Sequence, residues 1–165
     1  MYYKKMGLRA VVRNVPEYRQ SDVVNTLIDR YNPDILVVTG HDGMLKKGKL
    51  YEDLYNYRNS RFFAQTVINA RRNEKGKKLV IFAGACQSYY EALISAGANF
   101  ASSPARILID FMDPLVVARK IATTGSNKFL TIGDIEDELR DGARGINRSR
   151  WNGKEENFYK IVTKM

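Results

Sequence analysis

The chain has few residues that could cross-link it or bind a metal. Among its 165 residues there is one cysteine, Cys86, and one histidine, His41. A single cysteine excludes an internal disulfide, and one cysteine with one histidine is a poor ligand set for zinc. The sequence also lacks a phosphate-binding loop of the GxxxxGK[ST] type. We therefore expect neither a metal nor a nucleotide cofactor, and we expect a reducing, intracellular compartment.

Long hydrophobic runs are missing as well. No apolar run approaches the roughly 20 residues that a membrane helix needs, and the first ten residues, MYYKKMGLRA, lack the apolar segment of a secretory signal. The net charge is +9, which favours acidic partners, but the basic residues are dispersed. The densest basic cluster, at 70–79, reads as a solvated helix end and turn. Neither a membrane nor a nucleic acid is therefore the expected partner.

Short apolar runs alternate with amphipathic segments along most of the chain. The patterns predict strands over 8–15, 34–40, 78–85, 99–104 and 106–113. They predict helices over 20–31, 59–73, 87–97, 114–124 and 131–142, with a loop over 41–58. From 148 onward a strand and a loose tail remain alternatives. This alternation is typical of an α/β fold with three layers, an open and mostly parallel sheet with helices on both faces. Such folds place their chemistry at the carboxyl ends of the strands.

Two predicted strands end next to the lone histidine and the lone cysteine. ILVVTGHDG leads into His41, and LVIFAGACQS leads into Cys86. Taken separately, a cysteine after a strand is usually a small core residue and a histidine there is usually a loop residue. Taken together, parallel neighbouring strands would bring the two side chains within or near hydrogen-bonding reach at one sheet edge. The pair then suits acyl transfer by a thiolate and a proton-transferring imidazole.

Further details of the two strand ends fit the same chemistry. Cys86 precedes a predicted helix, whose positive dipole end would favour the thiolate. Backbone N–H groups of Gly43 and Cys86 are candidates for holding the oxyanion of a tetrahedral intermediate. The order of the pair, with the histidine 45 positions before the cysteine, is that of caspase-like peptidases. Papain-like enzymes and glutamine amidotransferases need a histidine after the cysteine, and none follows Cys86.

Longer motifs resemble a specific family. PDILVVTGHDG at 33–43, YRNSRFF at 57–63 and LVIFAGACQSYYEALISAGANFASSP at 79–104 closely resemble the YabG family of sporulation-specific cysteine peptidases. The resemblance covers about residues 8–124 of a single expected peptidase domain, 1–165, and leaves 125–165 as a C-terminal helix and tail. It implies that His41 and Cys86 are the catalytic pair. It also implies a caspase-like sheet that lacks one N-terminal strand, because only 40 residues precede the histidine.

The same resemblance implies a substrate class and a location. It implies an endopeptidase that cleaves spore coat and other sporulation proteins after arginine and can process itself. The expected locations are the cytoplasm of the mother cell and the forming spore coat. An arginine side chain needs a carboxylate partner. The substrate-binding candidates are Asp113, Asp110, Ser102 and Ser103. Asp113 is the preferred carboxylate among them. Glu17 and Asp42 are further acidic candidates, and Asp42 is also a candidate for orienting His41.

One alternative function stays open at the level of the sequence. The chain could be a non-enzymatic basic module that binds within the spore or nucleoid, with Cys86 as a core residue. This alternative predicts that Cys86→Ala leaves function intact and that binding weakens with salt.

Overall fold

A four-stranded sheet with helices on both faces forms the centre of the molecule. The structure is a computed structural model and describes residue 5, residues 7–125, residue 128 and residues 130–148. Its strands are β1 Ile35–Val38, β2 Val80–Ala83, β3 Phe100–Ser102 and β4 Ile146–Arg148. Its helices are α1 Gln20–Tyr31, α2 Ser60–Arg72, α3 Tyr90–Ala96 and α4 Asp113–Thr123. These elements confirm the predicted α/β architecture.

The strands lie side by side in the order of the chain. β1 pairs with β2 and β2 with β3 in parallel, whereas β4 is antiparallel to β3. The β1–β2 register joins Ile35 to Val80 and Val38 to Ala83. Parallel neighbours need a crossover between them, and α2 supplies it from β1 to β2 as the sequence pattern predicts. The carboxyl ends of β1 and β2 therefore lie together at one edge of the sheet.

Successive residues of β2 point into two different hydrophobic cores, because side chains alternate across a strand. Ile81 and Ala83 lie in the core beneath α1, α2 and α3, which includes Ile28, Phe63 and Leu93. The opposite core lies beneath α4 and contains Val80, Phe82, Phe100, Val117, Ile121, Ile135, Leu139 and Ile146. All four β2 residues are buried, so the continuous apolar run in the sequence reflects burial on both faces.

Two predicted strands are wrong. Residues 8–15 contain no strand, and Val11 and Val12 are 49 % and 65 % exposed. Their β-branched side chains favour extended backbone, but within the described chain the segment has no neighbouring strand to pair with. Residues 106–112 form an irregular loop instead of a strand. Arg106 has a φ of 54°, and the carbonyl of Asp110 accepts the N–H of Asp113 in a turn that leads into α4.

The predicted helix at 131–142 is also wrong. Three separate 3₁₀ turns occupy this part of the chain, at Ile132–Asp134, Glu136–Glu138 and Gly142–Arg144. Ile135 and Leu139 still point into the core beneath α4. The apolar spacing therefore predicts the buried side chains correctly, but it does not predict the backbone conformation. The tail from 149 onward lies outside the described residues, and β4 ends at Arg148. Within the described ranges, no helix is both long and apolar enough to span a bilayer.

Candidate active site

His41 and Cys86 follow the ends of two neighbouring strands, and those strand ends are register partners. Val38 and Ala83 are register partners at the ends of β1 and β2, and each candidate residue follows its strand end by three positions. The pairing continues past the strands, because the Gly84 N–H donates to the Val38 carbonyl at 2.9 Å. The lone histidine and the lone cysteine thus lie at the same edge of the sheet, each three positions after a member of the Val38–Ala83 pair.

The His41 side chain is exposed, and within the described part of the chain it pairs with one charged group, the Glu17 carboxylate. Its side chain is 93 % accessible, and its Nδ1 lies 3.3 Å from Oε1 of Glu17. The same carboxylate oxygen accepts the His41 backbone N–H at 2.8 Å. Burial raises the pKa of the Glu17 carboxyl, but hydrogen bonds from His41 and from the Glu17 backbone outweigh burial and hold that pKa below its ordinary value. Nδ1 is the ring nitrogen that contacts Glu17, and among the described residues Nε2 has no such partner.

Cys86 lies half-buried at the neighbouring strand end. Its Sγ donates to the carbonyl of Ile109 at 3.6 Å, and its side chain packs against the edge of the core beneath α4. No hydrogen bond joins Cys86 to His41 among the described residues. The two side chains share a sheet edge, but the thiol is turned toward the loop that follows β3.

The helix after Cys86 begins later than predicted. Gln87 has a φ of 56°, and its N–H donates to the carbonyl of Ile107 at 2.9 Å, so the backbone turns away from helical geometry. The seven-residue α3 starts at Tyr90, four positions after the cysteine. A helix dipole acts mainly within its first turn. The predicted stabilisation of a Cys86 thiolate by the dipole therefore has no geometric basis here.

The two backbone groups predicted to bind an oxyanion differ in availability. The Gly43 N–H already donates to Oδ1 of Asp42 at 2.9 Å. The Cys86 N–H has no acceptor among the described hydrogen bonds. Cys86 therefore offers a donor that an incoming carbonyl oxygen could use directly, whereas Gly43 would first have to exchange its present partner.

The Asp42 carboxylate joins the two loops of the site. Oδ1 accepts the N–H groups of Gly43 and Asn59, the latter at 2.8 Å, and Oδ2 accepts the hydroxyls of Ser60 at 2.5 Å and Ser88 at 2.7 Å. These contacts tie the end of β1 to the start of α2 and to the turn after Cys86. Since both oxygens are occupied in this way, Asp42 holds the loops together instead of orienting the neighbouring imidazole.

The YRNS motif at 57–60 supports the same arrangement. The side-chain amide of Asn59 donates to the His41 carbonyl at 2.7 Å. Tyr57 is fully buried and stacks on Tyr89 with ring centroids 5.0 Å apart. The Arg106 guanidinium lies over both rings and donates to the Tyr57 hydroxyl at 2.7 Å. This cluster connects the loops on either side of the predicted pair.

Ser102 and Ser103 have no exposed surface for a substrate. The Ser102 hydroxyl donates to the carbonyl of Ala85 at 2.7 Å, and the Ser103 hydroxyl donates to the carbonyl of Ile107 at 3.1 Å. Gly84 lies close above β3, where an added Cβ would stand 2.6 Å from the Ser102 Oγ. These serines fasten the turn around Cys86 to β3 and to the loop that follows it.

The two candidate carboxylates of the arginine pocket differ in exposure. Asp113 is 3 % exposed, and its oxygens accept the N–H groups of Asp110 at 3.1 Å and Arg140 at 3.2 Å. Asp110 is half-exposed, and one of its oxygens accepts the Met112 N–H at 2.8 Å. Asp110 also follows Ile109, whose carbonyl contacts Cys86. Exposure and proximity therefore favour Asp110 as the carboxylate that can meet a ligand.

The carboxylate partner of His41 was missed by the sequence reasoning. Glu17 lies 24 positions before the histidine, in a segment expected to follow a strand. The sequence therefore indicates it only as a candidate for the arginine pocket. One local signal was present in Gly40, immediately before the histidine. An added Cβ at Gly40 would lie 2.5 Å from the Glu17 Oε1, so the missing side chain makes room for the carboxylate.

Comparisons with known proteins agree with the motifs. The family model described as YabG peptidase U57 matches residues 1–158. A curated relative, the sporulation-specific protease YabG of Bacillus subtilis (strain 168), is 47 % identical over 123 residues, which are 74 % of this chain and 42 % of the relative. The chain thus spans less than half the length of that relative. No solved structure matches the chain.

Proposed function

Because the chain belongs to the YabG peptidase U57 family, we propose that it is a cysteine endopeptidase with Cys86 as nucleophile and His41 as general acid and base. The observation that carries the proposal is that both residues follow strand ends that are register partners. Both follow the register pair Val38–Ala83 by three positions, at the edge where α/β sheets place their chemistry.

The proposed reaction proceeds in two stages. His41 first takes the proton of the Cys86 thiol. The thiolate attacks the peptide carbonyl, an S–C bond forms, and the resulting oxyanion accepts a hydrogen bond from the Cys86 N–H. The C–N bond then breaks, and the leaving amine takes its proton from His41. In the second stage water loses a proton to His41 and attacks the thioester. The C–S bond then breaks to release the carboxylic acid, and the sulfur takes the proton back from His41 as a thiol. The Cys86 side chain must turn from the Ile109 carbonyl toward the substrate before the first stage.

The nucleophile is tested with an arginyl fluorogenic peptide and an arginyl chloromethylketone. We expect Cys86→Ala to abolish cleavage and His41→Ala to lower kcat by about 100-fold or more. Mass spectrometry should find the chloromethylketone on Cys86 in the wild type. Asp137→Asn, an exposed acid far along the chain, is the matched control and should cleave normally. Equal cleavage by wild type and Cys86→Ala would refute the thiol mechanism and favour the basic binding module, whose binding would weaken with salt.

For specificity, we place the arginine side chain of the substrate at Asp110. This carboxylate is half-exposed and adjoins the residue that contacts the Cys86 Sγ, whereas Asp113 is buried with both oxygens accepting backbone N–H groups. We expect Asp110→Asn to raise KM for an arginyl peptide by about tenfold, since a charged hydrogen-bonding partner is lost. Asp113→Asn is the comparison. A KM effect confined to Asp113→Asn would instead assign the pocket to Asp113.

The proposed biological role is supported by the name of the curated relative, a sporulation-specific protease. Extended to this chain, the proposal makes spore coat and other sporulation proteins its substrates and the mother cell and forming coat its location. Self-processing after arginine belongs to the same proposal. Incubation of wild type with Cys86→Ala protein as substrate, followed by N-terminal sequencing of fragments, tests it, and an uncut Cys86→Ala chain would refute self-processing between molecules.

A further inference from the structure

We infer that Glu17 is a positioning residue that fixes the orientation and the tautomer of His41. The inference rests on the proposed function for its catalytic consequence, but its geometric part concerns the chain alone. One carboxylate oxygen contacts His41 twice, at the backbone N–H and at Nδ1. The first contact fixes the loop, and the second fixes the ring.

The local backbone is shaped for this contact. Glu17 belongs to a short 3₁₀ turn, Glu17–Arg19, immediately before α1. The side-chain amide of Gln20 donates to the carbonyl of Thr39 at 2.9 Å, so the start of α1 is held against the end of β1. At Gly40 there is no side chain, and an added Cβ would stand 2.5 Å from the carboxylate oxygen. The Gln20–Thr39 hydrogen bond and the space at Gly40 thus both allow the Glu17 carboxylate to reach the His41 imidazole.

Nothing else in the described part of the chain competes for this role. Asp42 adjoins the histidine, but its two oxygens accept hydrogen bonds from the loops around it. The described ion pairs join His41 to Glu17 alone. A carboxylate that accepts a hydrogen bond from Nδ1 requires the proton on Nδ1 in the neutral ring, which leaves Nε2 as the basic nitrogen. Nε2 is then the atom that exchanges protons with thiol, amine and water.

The lone histidine makes the tautomer directly measurable. Long-range ¹H–¹⁵N NMR of the wild-type chain, at a pH where the ring is neutral, gives one imidazole spin system because His41 is the only histidine. We expect a protonated Nδ1 in the wild type. Glu17→Ala should shift the ring toward the Nε2–H tautomer that a free side chain prefers. Glu17→Gln keeps an acceptor oxygen and should retain the Nδ1–H form. Asp22→Asn, an exposed acid in the first turn of α1, is the control and should match the wild type.

Kinetics on the arginyl peptide supply the second readout. We expect Glu17→Ala to lower kcat by about 10- to 100-fold with KM nearly unchanged, because the histidine acts on bound substrate. Glu17→Gln should recover part of that loss. Gly40→Ala should resemble Glu17→Ala in both readouts, since it displaces the carboxylate without altering its chemistry. The Asp22→Asn variant should keep the wild-type kcat.

The two ideas fail in different ways. An unchanged tautomer in Glu17→Ala, or an unchanged kcat beside a changed tautomer, would overturn the positioning role. Cleavage that survives Cys86→Ala would overturn the proposed function, while the NMR result would still decide whether Glu17 fixes the ring. A loss of fold in Glu17→Ala would show in the NMR spectrum, and Gly40→Ala and Glu17→Gln would then decide the question.

Discussion

At the scale of single residues, Asp113 shows how burial and hydrogen bonding oppose each other at one carboxyl. Burial raises the pKa of Asp113 and outweighs the N–H groups of Arg140 and Asp110, which lower it. The folded state therefore disfavours the ionised form relative to the unfolded chain. This penalty is fully present above the raised folded-state pKa and is lost as the pH falls through that pKa. It disappears below an unfolded pKa of about 3.9, where both states are protonated.

The consequence is a stability difference that changes with pH. We expect the free energy of unfolding of the wild type to rise, relative to that of Asp113→Asn, as the pH falls from 7 toward 4. Urea unfolding of both proteins across this range measures the difference, and other carboxyl groups cancel in the comparison. Asp137→Asn is exposed and should show no such trend. A gap between wild type and Asp113→Asn that stays constant or moves the other way would contradict the assignment.

At the scale of elements, one arginine joins the end of α2 to the two segments that lead into β2 and β3. Arg71 donates to the carbonyls of Gly97 at 2.8 Å, Gly76 at 3.0 Å and Leu79 at 2.7 Å, and to the Asn99 side chain at 2.8 Å. The sequence pattern placed this residue in a solvated basic cluster, and for Arg71 that interpretation is wrong. A guanidinium can reach several carbonyls in a fixed plane, which an ammonium cannot.

We expect Arg71→Lys to lower the free energy of unfolding by about 2 kcal/mol, because several carbonyls lose a charged donor. The adjacent Arg72 is exposed, so Arg72→Lys is the matched control and should change stability by less than about 0.5 kcal/mol. Chemical denaturation of the three proteins provides the comparison. Equal stabilities for Arg71→Lys and Arg72→Lys would show that the carbonyl contacts contribute nothing measurable.

The elements also show which parts of the fold a sequence pattern can predict. α1, α2 and the buried strands were predictable because their apolar spacing coincides with the faces that they bury. Residues 8–15 and 106–112 were not, since β-branched composition reports a preference for extended backbone and says nothing about whether a partner strand is present. The 3₁₀ turns after α4 keep a helical spacing of apolar residues while the backbone breaks between them.

At the scale of the whole molecule, the parallel arrangement of β1 and β2 was predictable and the contacts around the site were not. Alternating strands and helices fix which strand ends meet, so His41 and Cys86 could be placed at one sheet edge from the sequence. The Glu17 contact depends on how the segment before α1 returns to that edge. The hydrogen bonds of Asp42 likewise depend on how two separate loops pack together. Such contacts between distant loops leave no periodic trace in the sequence.

The position of His41 and Cys86 after two paired strands also has a consequence for the order of events during synthesis. The two residues are 45 positions apart and come to the same sheet edge only after the crossover through α2 has closed and β2 has paired with β1. Closing such a loop costs conformational entropy before any contact compensates it. A nascent chain therefore holds no assembled pair until the residues beyond β2 have left the ribosome. The cleavage proposed for this pair can therefore begin only after synthesis has passed β2.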